Sequence, residues 1–142
     1  MHNEILWKPL DELKKETQMF EFIQLIAEKY SLPDKEYSTL HQWSVKEVDY
    51  FWAEIWSFCD IKYSQSFTEV VDNSKKLPGA KWFKNAKLNF AENLLKKRDN
   101  SKAIIFKGEE SVKRELTYTE LFEEVRKAAA GLKKLGVQKN DR

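Results

Sequence analysis

Residues 101–121 read SKAIIFKGEESVKRELTYTEL, and the change of period inside this stretch decides the fold. Ala103-Ile104-Ile105-Phe106 and Val112-Lys113-Arg114-Glu115-Leu116 read as two strands around a turn at Gly108-Glu109-Glu110-Ser111. Thr117-Tyr118-Thr119-Glu120 then has the spacing of a capping box: the threonine oxygen accepts the N–H three residues on, and the glutamate reaches back. The helix it opens carries Leu121, Val125, Ala128 and Leu132 on one face, with Phe122 and Ala129 beside them. Gly136 is placed to close that helix in a left-handed cap, with Val137 returning onto Leu132. The polar turn Gln138-Lys139-Asn140-Asp141-Arg142 follows. A two-stranded hairpin is marginal alone and needs further strands or a helix, so the end at Arg142 reads as premature.

Upstream the period is that of helices. Thr17 is an N-cap, and Met19, Phe22, Ile23 and Ile26 follow on one face, widened by Phe20, Leu25 and Tyr30. Pro33 is expected to stop this helix after Ser31-Leu32. Before it, Ile5-Leu6-Trp7-Lys8-Pro9 reads as an extended arm with an apolar anchor. A second helix is expected to open on a capping box at Ser44-Val45-Lys46-Glu47, with Val45, Val48, Phe51, Trp52, Ile55 and Trp56 as its apolar face. Phe67, Val70 and Val71 fit either one helical turn or a short strand, and Lys75-Lys76-Leu77-Pro78-Gly79 is a solvated turn. Trp82-Phe83 precedes a small helix from Phe90 to about Lys97, opened by Asn89-x-x-Glu92, with Lys96-Lys97-Arg98 at its C-terminal end where the dipole favours cations. Together these elements predict a helix-rich α+β chain, a helical region over 1–98 and a hairpin with a long helix over 99–142.

Composition excludes several classes of function. Apolar residues make up 42% and aromatics 13% of 142 residues, enough to drive folding despite 34% charged residues. A net charge of +2 leaves no electrostatic footprint for nucleic acid, so no nucleic-acid partner is expected. No apolar run approaches the roughly 20 residues that cross a bilayer, and Met1-His2-Asn3-Glu4 lacks the opening of a secretory signal, so no membrane partner is expected. Cys59 is the sole cysteine and His2 and His41 the only histidines, which removes an intrachain disulfide, a thiolate zinc cage and a histidine-rich metal site. A reducing, cytoplasmic setting fits.

Four glycines and three prolines are few, since average usage would give roughly 12% of a chain. Phosphate loops need clustered glycines so that consecutive N–H groups converge on an anion. Gly79, Gly108, Gly131 and Gly136 are dispersed, so no nucleotide is expected to be held by a glycine loop of this chain. The remaining candidates read mainly as structure. Trp52 and Trp56 stand four apart on an apolar helix face, as packing side chains do; Trp82-Phe83 fits packing or a stacking face. His41 beside Trp43 has no Ser, Cys or carboxylate partner fixed by spacing. Cys59 reads as an inert buried thiol. Glu109-Glu110, Glu123-Glu124, Lys75-Lys76 and Lys133-Lys134 read as solvated charge. No catalytic, cofactor-binding or metal-binding residue is therefore expected.

Leu116-Thr117-Tyr118-Thr119-Glu120-Leu121, Val125, Ala128-Ala129, Leu132, Gly136-Val137 and Asp141-Arg142 resemble the early helix of the adenylate-forming enzymes. There a Lys-Gly-Asp-Arg-type turn leads into the first strand of the large domain; here it is Lys139-Asn140-Asp141-Arg142, and asparagine is the next best residue for a left-handed conformation. Trp82-Phe83 with Leu88-Asn89-Phe90-Ala91-Glu92-Asn93-Leu94-Leu95 resembles a block shared by acetyl-CoA and acetoacetyl-CoA synthetases. Leu6-Trp7-Lys8-Pro9, Thr17-Gln18-Met19, His41-Gln42-Trp43-Ser44-Val45 and Phe51-Trp52 look closer to the acetoacetyl branch.

The resemblance implies an N-terminal cap followed by the start of the large domain of an ATP-dependent, AMP-forming acid–CoA ligase. Acetoacetate would be its acid, activated as an acyl-adenylate and passed to CoA, with ATP, Mg and CoA used by the complete enzyme. The family's phosphate loop, adenine contacts and mobile lysine have no counterpart position here. The implied partner of this stretch is the remainder of the same polypeptide, and the 142 residues alone are expected to be inactive. A free-standing helical interaction module remains the alternative, distinguished by monodisperse, cooperative unfolding rather than aggregation.

Overall fold

A computed structural model describes residues 7–109, 112–139 and 141–142. Ile5 and Leu6 of the expected arm, Glu110 and Ser111 of the hairpin turn and Asn140 of the last turn lie outside the described residues. The chain divides into two compact units, Met1–Lys87 and Leu88–Arg142.

In the first unit, α1 (Asp11–Lys15), α2 (Gln18–Tyr30), α3 (Tyr37–Lys46) and α4 (Val48–Phe58) precede the strands β1 (Glu69–Val71) and β2 (Trp82–Lys84). Thr17 caps α2 as expected, its Oγ1 accepting the Phe20 N–H at 3.2 Å. The helix ends earlier than Pro33 requires. Ser31 turns left-handed at φ 51°, and the Leu32 N–H returns to the Ala27 carbonyl, so α2 stops after Tyr30.

The expected capping box at Ser44 does not form. Residues 37–46 are already helical, and the Ser44 hydroxyl donates to the His41 carbonyl at 2.8 Å inside α3. The chain breaks instead at Glu47, whose N–H is held by the Trp43 carbonyl, and α4 starts at Val48 without a side-chain cap. Val45 therefore belongs to α3 and is exposed.

Phe22, Ile23, Ile26 and Leu40 form the core between α2 and α3, and Phe51, Ile55 and Phe58 of α4 pack against it. Phe22 meets Phe58 and Phe51 edge-on, with ring centroids 5.0 and 6.1 Å apart. Met19, expected on this face, is half exposed. The ambiguous stretch around Val70 resolves as a strand: β1 pairs antiparallel with β2, Glu69 opposite Lys84 and Val71 opposite Trp82. Between them, Gly79 at φ +107° takes a conformation that a side chain would strain. The apolar residues of α4 point two ways, since Trp56 lies against Tyr63, Phe67 and Phe83 at 5.6, 5.2 and 4.8 Å.

In the second unit, α5 (Phe90–Leu94) is capped by Asn89, whose Oδ1 accepts the Glu92 N–H. It is shorter than expected, so Lys97 and Arg98 lie beyond its end. Their cations rest on aromatic rings, Lys97 4.8 Å from the Tyr118 centroid and Arg98 3.8 Å from that of Phe122. Strands β3 (Lys102–Lys107) and β4 (Lys113–Thr117) pair antiparallel, Ile104 opposite Leu116 and Phe106 opposite Arg114. They lead into α6 (Tyr118–Lys134), whose capping box at Thr117 and Glu120 is complete. Its far end closes as expected: Gly136 adopts φ +88°, its N–H bonds to the Lys133 carbonyl and that of Val137 to Leu132. Thr117→Ala is expected to lower the stability of this unit by about 1 kcal/mol, read as an earlier loss of helical signal on heating.

Every buried apolar residue among the described ones lies in the first unit. In the second, Ile104, Ile105 and Phe106 of β3 and Val125 and Leu132 of α6 are exposed.

Candidate functional site

The most unusual group of the first unit is a carboxylate. Glu54 sits on α4 among Phe51, Trp52, Ile55, Trp56 and Phe58, and it is only 8% exposed. Its Oε1 accepts both the Lys29 ammonium at 2.7 Å and the Tyr30 hydroxyl at 2.9 Å, so one oxygen of α4 holds the last turn of α2. A buried carboxylate needs such partners, because an unpaired charge away from water is costly. Nothing in the local pattern around Glu54 marked it, since α4 also carries Asp49 in its first turn.

The same contact acts on Tyr30. Burial first, and the hydrogen bond to the Glu54 carboxylate second, push its phenol up to about 12. The ordinary phenol value is about 10, so on raising the pH the unfolded chain releases this proton first. Stability from this group is full below about pH 10 and is lost as the pH rises toward 12. Titration of phenolate absorbance is expected to show one late phenol near pH 12 that disappears in Tyr30→Phe.

The structure separates the other candidates. His41 stacks on Tyr37 and lines a small apolar pocket of about 110 Å3 with Met19, Phe22 and Ile55; no carboxylate among the described residues hydrogen-bonds its ring. Trp52 meets Trp82 edge-on at 5.9 Å, and Trp56 with Phe83 forms the seam between α4 and β1–β2, so both tryptophans of α4 are packing side chains. Trp7 is exposed. Cys59, expected buried, is exposed, because it caps the C-terminus of α4 where the chain leaves the core. Glu123 pairs with Arg126 and Glu124 with Lys127 on the open side of α6, the Arg126 hydrogen bond holding the Glu123 carboxyl below its ordinary range. Glu109, Lys75, Lys76, Lys133 and Lys134 are exposed; Glu110 lies outside the described residues.

The glycines lie in the β1–β2 connection, the β3–β4 connection, the middle of α6 and its cap. Among the described residues no group of three His, Cys, Asp or Glu is placed to hold a metal, and no helix is long and apolar enough to cross a membrane.

A helical region of this kind, ending in a hairpin and a capped helix, has known counterparts. Residues 37–94 match the family model described as acetyl-coenzyme A synthetase N-terminus. That stretch is similar to the N-terminal region of acyl-CoA synthetases. The whole chain is 37% identical over 145 residues to acetoacetyl-CoA synthetase from Danio rerio, covering 100% of this chain and 21% of that protein. Malonamoyl-CoA synthetase from Penicillium aethiopicum is 37% identical over 146 residues, covering 98% of this chain and 20% of that protein. The solved acetoacetyl-CoA synthetase from Streptomyces lividans superposes with a TM-score of 0.80 at 32% identity, over 98% of this chain and 22% of that one. The chain corresponds over its length to an N-terminal portion of acetoacetyl-CoA synthetases and spans about one fifth of these relatives.

Proposed function

We propose that this chain forms the N-terminal cap, residues 1–98, and the opening hairpin and helix, 99–142, of the large domain of an AMP-forming acid–CoA ligase. The reaction is acetoacetate with ATP and CoA giving acetoacetyl-CoA, AMP and diphosphate through an acyl-adenylate. The observation that carries this reading is the similarity along nearly the whole chain to synthetases that join an acid to CoA. Acetoacetate and malonamate, the acids named by the two matched enzymes, both carry a carbonyl group two carbons from the carboxylate carbon, and that is the substrate class assigned.

Within such a ligase this chain contributes structure rather than chemistry. ATP, Mg and CoA are bound by the remainder of the polypeptide, in a cytoplasmic enzyme of lipid and ketone-body metabolism. No residue of the chain is assigned a catalytic, cofactor or metal role, consistent with dispersed glycines and carboxylates paired to surface cations. The interaction-module reading is the less favoured one, because the second unit leaves the apolar residues of β3 and α6 exposed.

The test is a paired assay of AMP release with acetoacetate, ATP, Mg and CoA. The 142-residue chain is expected to give none, and a longer polypeptide carrying it is expected to turn over. Turnover by the 142 residues alone would overturn the structural role. A longer polypeptide that adenylates no short acid with a carbonyl at that position would overturn the ligase assignment.

A further inference from the structure

Among the described residues the second unit holds a sheet of only two strands, so β3 and β4 each keep one edge without a strand neighbour. The backbone bond from the Gly108 N–H to the Val112 carbonyl, 2.7 Å long, fixes which groups face those edges. Along an antiparallel ladder, pairs that bond to each other alternate with pairs that do not. Phe106 lies opposite Arg114 and Ile104 opposite Leu116, two and four positions on from that bond, so these residues bond across the hairpin. Ile105 and Lys107 on β3, and Lys113 and Glu115 on β4, then turn their N–H and C=O groups outward.

The two edges differ in chemistry. Opposed residues share a face, so β3 carries Ile104 and Phe106 on one face and Ile105 on the other, 45%, 54% and 61% exposed. A strand apolar on both faces has the pattern of a strand inside a larger sheet, covered above and below. β4 sets Arg114 and Glu115 opposite these residues, and Glu115 is tied to Lys102 at 2.8 Å and to Lys113 at 3.0 Å. Charged side chains along a strand are how sheets keep an edge from pairing further.

The length of the matched relatives says what completes β3. This chain covers 21% of the Danio rerio enzyme, so most of such a polypeptide lies outside these residues. A second copy of the chain is the poorer occupant, because it brings the same exposed apolar residues and lengthens the bare surface instead of covering it. We infer that the free edge of β3, and not that of β4, is extended by an apolar β-strand from the remainder of the same polypeptide. The inference rests on the reading of the hairpin as the start of a larger domain, and it names the strand at which that domain is joined.

The experiment compares residue-resolved hydrogen exchange in the 142-residue chain and in a longer polypeptide that carries it. In the 142 residues the outward amides of Ile105, Lys107, Lys113 and Glu115 are expected to exchange freely. In the longer polypeptide Ile105 and Lys107 are expected to slow by about a hundredfold, while Lys113 and Glu115 stay fast. Ile105→Pro removes only an outward N–H, which an edge strand tolerates and an interior strand does not. It is expected to lower the Tm of the longer polypeptide by several degrees beyond the effect of Ile105→Ala. Slowing at Lys113 and Glu115 instead, free exchange at Ile105 and Lys107 in the longer polypeptide, or equal effects of the two substitutions would overturn the inference. Protection of Ile105 in the 142-residue chain that rises with concentration would also overturn it, in favour of a second copy. AMP release is read separately: protection at Ile105 without turnover supports the pairing and overturns the ligase reading, and turnover without protection overturns the pairing alone.

Discussion

Phe22→Ala is expected to destabilise the first unit by about 3–5 kcal/mol, the range for removing a fully buried phenylalanine. The ring is 3% exposed and touches α4 through both Phe51 and Phe58. Its loss costs the transfer energy of the side chain and leaves a cavity beside Ile26, which is itself fully buried. With a total folding stability of roughly 5–15 kcal/mol for a typical domain, a loss of that size brings the unit close to unfolding at room temperature. Denaturant unfolding followed by tryptophan fluorescence measures it directly, as a fall in midpoint with an unchanged slope. A midpoint that barely moves would place the core elsewhere.

The second large effect is expected at Trp56. Its ring bridges α4 to Phe67 ahead of β1 and Phe83 in β2, and Phe83 is held at φ +47°, a strained setting for an aromatic residue. Trp56→Ala is expected to cost about 3–5 kcal/mol and to release the β1–β2 hairpin before the helices. Hydrogen exchange is the discriminating measurement, because the amides of Glu69–Val71 and Trp82–Lys84 should lose protection first. Trp52→Ala, at a ring 39% exposed, is expected to cost less. Equal losses at the two tryptophans would mean that the seam is not centred on Trp56.

How much of each element is legible in the sequence follows the range of the interactions that form it. The starts of α2 and α6 were legible because Thr17 and Thr117 satisfy N–H groups three residues away, and the close of α6 because Gly136 alone supplies the left-handed turn. The β3–β4 pairing was legible because its strands alternate and are adjacent in sequence. Ser44-x-x-Glu47 has the letters of a capping box, yet the helix upstream had already used those groups. The helix α3 was missed since Tyr37–Lys46 buries only Leu40 and shows little periodicity. The short helix α1 buries nothing and is supported by an Asp11–Lys14 pair that any solvated turn also allows.

For the candidate site the division is sharper. Local spacing reads the tryptophans of α4 as packing side chains, because residues four apart share a helix face, and in the structure Trp52 meets Trp82 and Trp56 meets Phe83. It gave no sign of Glu54, whose partner Lys29 is 25 residues away.

The sequence by itself determined where α2 and α6 begin, where α6 closes, where the β3–β4 hairpin lies, and which family the chain resembles, because each depends on groups within a few residues or on motifs read directly. Only the tertiary structure decided that α4 divides its aromatic side chains between a helical core and the β1–β2 hairpin, and that a buried carboxylate joins α4 to the end of α2. Those features need elements distant in sequence to meet, as Lys29 meets Glu54 across 25 positions and Trp56 meets Phe83, and burial creates the demand for a hydrogen-bond partner only once they have met.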